Sequence, residues 1–155
     1  MENDLKSSLE KLTDIAETNI QLFMKMLDIT LEQKRYILDG DIDSLQECII
    51  KKQEYIDQLN ALDIRQNFER LKEIMQDNSD LNLAYQWRLL DEKMKNLSRL
   101  ARQLEEMDKS NIELAYARLK NLKTGIQTVK DHKKAVYLYN AESMPEQKIS
   151  FDRKK

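Results

Sequence analysis

Two glycines, Gly40 and Gly125, and one proline, Pro145, are all that this 155-residue chain contains of the strongest chain-breaking residues. A β-rich or α/β chain of this length needs many more turn formers, so both classes are excluded. The two glycines lie too far apart to build a glycine-rich phosphate loop. A single cysteine, Cys48, rules out an intrachain disulfide and fits a reducing compartment. A single histidine, His132, removes metal sites built on paired histidines and any Cys-His zinc cluster. Excess charge of one sign is missing too: 26 basic against 28 acidic residues leave a formal charge of -2, unlike the basic excess of a nucleic-acid binder. The most apolar stretch, Ile20 to Leu31, is broken by Gln21, Lys25 and Asp28 and is too short to span a bilayer. The N-terminal residues are charged and lack the apolar core of a signal peptide. A cytoplasmic protein with no membrane insertion is expected.

What is present is helical. Charged residues make up 35% and hydrophobic residues 41%, a balance typical of long amphipathic helices and coiled coils. A first helix is predicted from about Asn3 to Leu38, with Leu5, Leu9, Leu12, Ala16, Phe23, Met26 and Ile37 in alternating steps of four and three. Its middle, from Ile20 to Leu31, is apolar over most of its circumference and calls for more than one neighbour. Asp39-Gly40-Asp41 then reads as a stop, with Gly40 closing one helix and Asp41 capping the next. So short a connection makes the two helices antiparallel. The second helix carries Leu45, Cys48, Ile49, Ile56, Leu59 and Leu62, and either continues through Phe68, Leu71, Ile74 and Met75 or breaks near Asp63 to Asn67. Gln76 to Asp80 is the next loop, with Ser79 or Asp80 as the following cap. The fold expected is all-α: a long antiparallel hairpin or bundle of three main helices, coiled-coil-like, with an extended last helix. Residues 1–140 form one helical domain in this reading and 141–155 a flexible tail around Pro145.

The last helix is the unusual element. From Leu81 to Tyr139 only Gly125 interrupts it, at a cost of ~1 kcal/mol relative to alanine. It outruns helices one and two, whose lengths reach roughly 50 to 55 Å at 1.5 Å per residue against roughly 85 Å. One apolar seam runs through Trp87, Leu90, Met94, Leu97, Leu100, Leu104, Met107 and Leu114. The same spacing then meets Arg118, Asn121, Gly125, Thr128 and His132, and the seam ends. A second begins beside it with Ile112, Ala115, Leu119, Leu122, Ile126, Val129 and Val136. A one-residue slip turns the apolar face by about 100°. The first seam is expected to pack on helices one and two. The second is the candidate partner-binding face. The alternative is a helix that bends at Gly125 and buries this seam in its own bundle or in a homodimer.

No catalytic constellation accompanies these helices, no cofactor is called for, and an enzyme is the least favoured class. Cys48 sits at a core-facing position as a small hydrophobe, and His132 stands among lysines as a solvated residue. Carboxylates pair with cations at helix-neighbour spacing, as in Asp91 with Lys95 and Glu47 with Lys51. One charge feature departs from this mixing. Arg118, Lys120, Lys123, Lys130, Lys133 and Lys134 face the single acid Asp131, which makes the second seam basic and amphipathic. A membrane surface and an acidic protein partner both suit such a segment, and cations near a helix C-terminus also suit its dipole. A coiled-coil scaffold or adaptor without chaperone activity is the main rival among binding functions.

Local sequence adds a resemblance. Tyr36-Ile37-Leu38-Asp39-Gly40-Asp41-Ile42-Asp43-Ser44-Leu45 at the first turn, Lys52 in helix two, Asn111 in the last helix and Tyr139-Asn140 at its end occur in the order of one family. The chain resembles the FlgN family of flagellar export chaperones over nearly its whole length, departing in a tail without the glycines often found beyond the tyrosine. The resemblance implies a chaperone for the hook-filament junction proteins FlgK and FlgL, which it keeps unassembled and delivers to the type III export gate. It implies that the end of the last helix holds the substrate, a role that falls on Leu119, Leu122, Ile126 and Val129. It also implies that a terminal tyrosine docks on the gate protein FlhA, with Tyr139 the matching position and Tyr137 a weaker one.

Overall fold

The computed structural model describes residues 2–62 and 64–132, with the side chains of residues 2, 3, 122 and 125–132 outside that description. Four helices, and no strand, make up the described residues: α1 (Glu2–Asp39), α2 (Ile42–Asn60), α3 (Ile64–Gln76) and α4 (Leu81–His132). The all-α expectation holds.

Every connection has a local cause. Gly40 takes φ +71 and ends α1. Its N–H bonds to the Ile37 carbonyl and that of Asp41 reaches back to Tyr36, at 3.3 and 3.0 Å. These are the paired bonds of a Schellman ending, which a left-handed glycine allows. Asp41 then caps α2 by accepting from the Ser44 N–H at 3.1 Å. At the start of α4 the cap is Asp80, whose carboxylate accepts from the Asn82 N–H at 2.9 Å.

Of the two alternatives for residues 45–75, the chain takes the broken one: α2 ends at Asn60 and α3 begins at Ile64, at the near edge of the break expected around Asp63 to Asn67. No glycine or proline stands there; the cause is phase. The inward positions of α2, Leu45, Cys48 and Lys52, extrapolate through Leu59 to Asp63, Gln66 and Arg70. The break resets the face, so that Ile64, Phe68, Leu71 and Met75 point inward instead.

Packing fixes the direction of α4. Lys93 of α4 bonds to Glu17 at 2.7 Å, and Asn111 donates to the Thr30 carbonyl at 3.0 Å. Partners advance together along both helices, so α4 runs parallel to α1, with α2 and α3 as the return limb. The core between them holds Leu9, Leu12, Ala16 and Ile20 of α1, the four inward residues of α3, and Leu83, Leu90, Leu97 and Leu100 of α4. Phe68 stacks on Trp87 with ring centroids 5.0 Å apart, tying α3 to the start of α4.

The α1 seam is more regular than its apolar residues alone suggest. Leu5, Leu9, Leu12, Ala16, Asn19, Phe23, Met26, Thr30, Gln33 and Ile37 keep an unbroken four-three spacing. Asn19, Thr30 and Gln33 are polar yet buried. Cys48 is buried as expected. Its thiol is pushed above the usual range by burial and then by the nearby carboxylates of Glu32 and Glu47, so it stays protonated at neutral pH.

Candidate functional site

The register of α1 and α4 decides where the bundle stops. Thr30 lies beside Asn111, so Asp39, the last residue of α1, lies level with about Lys120. A Cβ placed on Gly40 would sit 3.8 Å from the Arg118 guanidinium, which agrees with that alignment. From Lys120 the helix continues to His132 with neither α1 nor α2 beside it, a rise of roughly 18 Å at 1.5 Å per residue. The last helix therefore outruns its bundle, as its length predicted.

Burial along α4 follows this geometry. Leu90, Leu97, Leu100 and Leu104 of the first seam are buried. Met107 and Leu114 are half-buried, and Arg118 and Asn121 on the same line are exposed. The second seam starts where cover thins: Ile112, Ala115 and Leu119 are all half-buried. Helical spacing puts Ile112, Ala115 and Leu119 on the side of Asp108, the side that faces α2 through Lys52. The lower end of the second seam thus borders the α1–α2 turn, and its upper end rises past it. Leu122, Ile126 and Val129 lie on the rising part of α4, with side chains outside the described set. Val136, Tyr137 and Tyr139 lie outside the described residues altogether.

Beneath the overhang a polar layer clamps the three limbs together. Lys52 of α2 forms an ion pair with Asp108 of α4 and donates to Gln33 of α1 at 3.3 Å. One turn away, Asn111 of α4 bonds to the Thr30 backbone, and the Thr30 hydroxyl bonds back to Met26 at 2.7 Å. Lys52 and Asn111, two residues that carried the family resemblance, are both buried and meet in this one layer. Sequence reading did not assign Thr30, Gln33 or Asp108 to it. The available signal was periodicity, because each falls on a seam position that polar chemistry disguises. A slip of register would part Lys52 from Asp108 and Asn111 from Thr30 and leave buried polar groups without partners.

Other surfaces are less suited to a site of chemistry. No cluster of three or more histidine, cysteine, aspartate or glutamate side chains able to hold a metal occurs among the described residues. Among these residues no helix is long and apolar enough to cross a membrane. A cleft of about 690 Å³ lies between the first half of α1 and α3, at the opposite end from the overhang, and none of the predicted site residues lines it.

Comparison with known proteins agrees with the local motifs. A family model described as FlgN protein matches residues 1–147. The chain belongs to the FlgN family. No curated protein and no solved structure matches it. FlgN proteins are chaperones of flagellum assembly, and a bundle with an outrunning last helix is the form this member of the family takes.

Proposed function

We propose that the protein is an export chaperone for hook-filament junction proteins of the FlgK and FlgL kind, acting in the cytoplasm and holding its substrate on the second seam of α4. The observation that carries this reading is the overhang itself: a FlgN-family chain whose last helix continues past its own bundle with apolar residues still recurring at helical spacing. A substrate segment that would otherwise self-assemble buries its apolar face against Leu119, Leu122, Ile126 and Val129, the helix-in-groove mode of recognition. The chaperone needs no nucleotide for this, because association and release are changes of buried surface. Half-burial of Ile112, Ala115 and Leu119 beside the α1–α2 turn gives the seam a fixed lower end. From there a guest helix can lie upward along α4.

Delivery follows from a division of labour along the chain. The seam holds the substrate, and Tyr139, or less favourably Tyr137, engages the export-gate protein FlhA beyond it. Co-purification of the full chain with FlgK-like and FlgL-like proteins tests the first half. Leu122→Asp with Ile126→Asp abolishes capture and leaves helical content nearly unchanged. Collapse of the helical signal in that variant would instead mark the seam as core. Tyr139→Ala retains substrate and loses binding to the gate protein; loss of both contradicts the division.

A further inference from the structure

We infer that the overhang selects an acidic partner: an amphipathic helix whose apolar stripe is bordered by aspartate or glutamate. This rests on the seam reading above and adds the chemistry of the guest. The basis is an uneven distribution of charge in a chain that is nearly neutral as a whole. Residues 118–134 carry six cations and one acid; removing them from the chain's 26 and 28 leaves 20 cations against 27 acids. A chain of formal charge -2 is thus split into a strongly basic segment and an acidic remainder. Register puts the basic segment where α4 leaves the bundle.

The placement of the cations along the helix is what makes them a rim. Lys123 and Lys130 each stand four residues after a seam position, Leu119 and Ile126. Their line runs along one edge of the seam, about a quarter-turn from its centre. Arg118 stands on the opposite edge, and Lys120 lies on the far side of the helix. Arg118, Lys120 and Lys123 are exposed, and none takes part in an ion pair among the described residues. Elsewhere on α4 the cations are interspersed with acids. Lys93 and Lys95 are held by Glu17 and Asp91, while Arg88, Arg99, Arg102 and Lys109 have no ion pair among the described residues. The overhang differs in its shortage of acids. Cations that end a helix to suit its dipole belong in its last turn; Arg118, Lys120 and Lys123 lie about two and a half to four turns before His132. A protein guest explains them better than a bilayer does. The seam is narrow and only half open at its lower end, whereas a membrane surface takes up a helix with a wide exposed apolar face.

The test uses the full chain and three synthetic amphipathic helical peptides with one common leucine stripe and acidic, neutral or basic flanks. Binding is measured at about 50 and about 500 mM salt, where screening lengths bracket the spacing of the rim. The acidic peptide binds tightest at low salt and loses most of its advantage at high salt. Lys123→Glu with Lys130→Glu weakens it by roughly tenfold, as expected for two reversed exposed pairs, and makes the basic peptide the preferred one. Lys120→Glu, on the far face, leaves the order of the three unchanged. Equal binding of all three peptides overturns the charge selection and leaves the seam reading standing. Binding of none of them overturns both. Binding of vesicles of phosphatidylcholine with phosphatidylserine in preference to the acidic peptide overturns the assignment to a protein guest.

Discussion

Lys52 is the residue on which the alignment of the bundle turns. Its ammonium is nearly buried and joins α1, α2 and α4 through Gln33 and Asp108. Removing it leaves a partly buried carboxylate without its cation, and Lys52→Met is expected to lower unfolding free energy by about 2 kcal/mol, less than a fully buried pair because Asp108 retains water. Lys52→Met together with Asp108→Leu recovers most of that loss in urea denaturation; an uncorrected loss contradicts the pairing. Cys48 gives a second check. Its folded pKa is raised, so the protonated thiol is favoured in the native state. Stability is unaffected below the ordinary thiol value of about 8.5 and falls as pH rises from there towards the folded value. Alkylation at pH 8 is expected to be far slower in the native than in the denatured chain, and equal rates would contradict its burial. That Cys48 is core was legible from helical spacing alone. The polar layer was not, because an apolar search passes over Thr30, Gln33 and Asp108 even though each keeps the four-three step.

At the scale of the element, α4 changes its role along its length. Leu90 is fully buried, and Leu90→Ala is expected to cost about 3 kcal/mol in loss of contacts and a cavity. Leu119 is half-buried at the rim of the bundle, and Leu119→Ala is expected to cost less than about 1 kcal/mol. Equal costs in thermal or urea unfolding would place both in one core and remove the distinction between the seams. The handover was legible in the sequence because the apolar line meets Arg118 and Asn121 and restarts one residue over. The break between α2 and α3 obeys the same logic, yet whether the helix breaks there was left open. The residues Asn60 to Asp63 include no breaker, and only the inward direction of Ile64, Phe68, Leu71 and Met75 within the bundle shows where the phase must be reset. Gly40 was the opposite case, a turn written in one residue whose positive φ no β-carbon tolerates well.

The whole molecule is an up-down-up bundle in which the third limb is too long for the other two. Its length against α1 was legible before any coordinates. Its parallel register was not, because two bonds far apart in sequence, Glu17 to Lys93 and Thr30 to Asn111, fix it. That register turns excess length into a free helix end, about 18 Å of it by the rise per residue, with the polar layer as its clamp. Family membership supplies the task of a flagellar chaperone, and the overhang is the surface on which we propose that its substrate is held and from which it is released.

Amide hydrogen exchange along α4, measured on the free chain and on its complex with a FlgK-like protein, tests this most directly. Amides from Leu90 to Asn111 are expected to be protected in both samples. Those from Asn121 to His132 exchange quickly in the free chain and become protected in the complex. Protection of the 121–132 segment in the free monomer equal to that of 90–111, unchanged by the partner, would contradict the account.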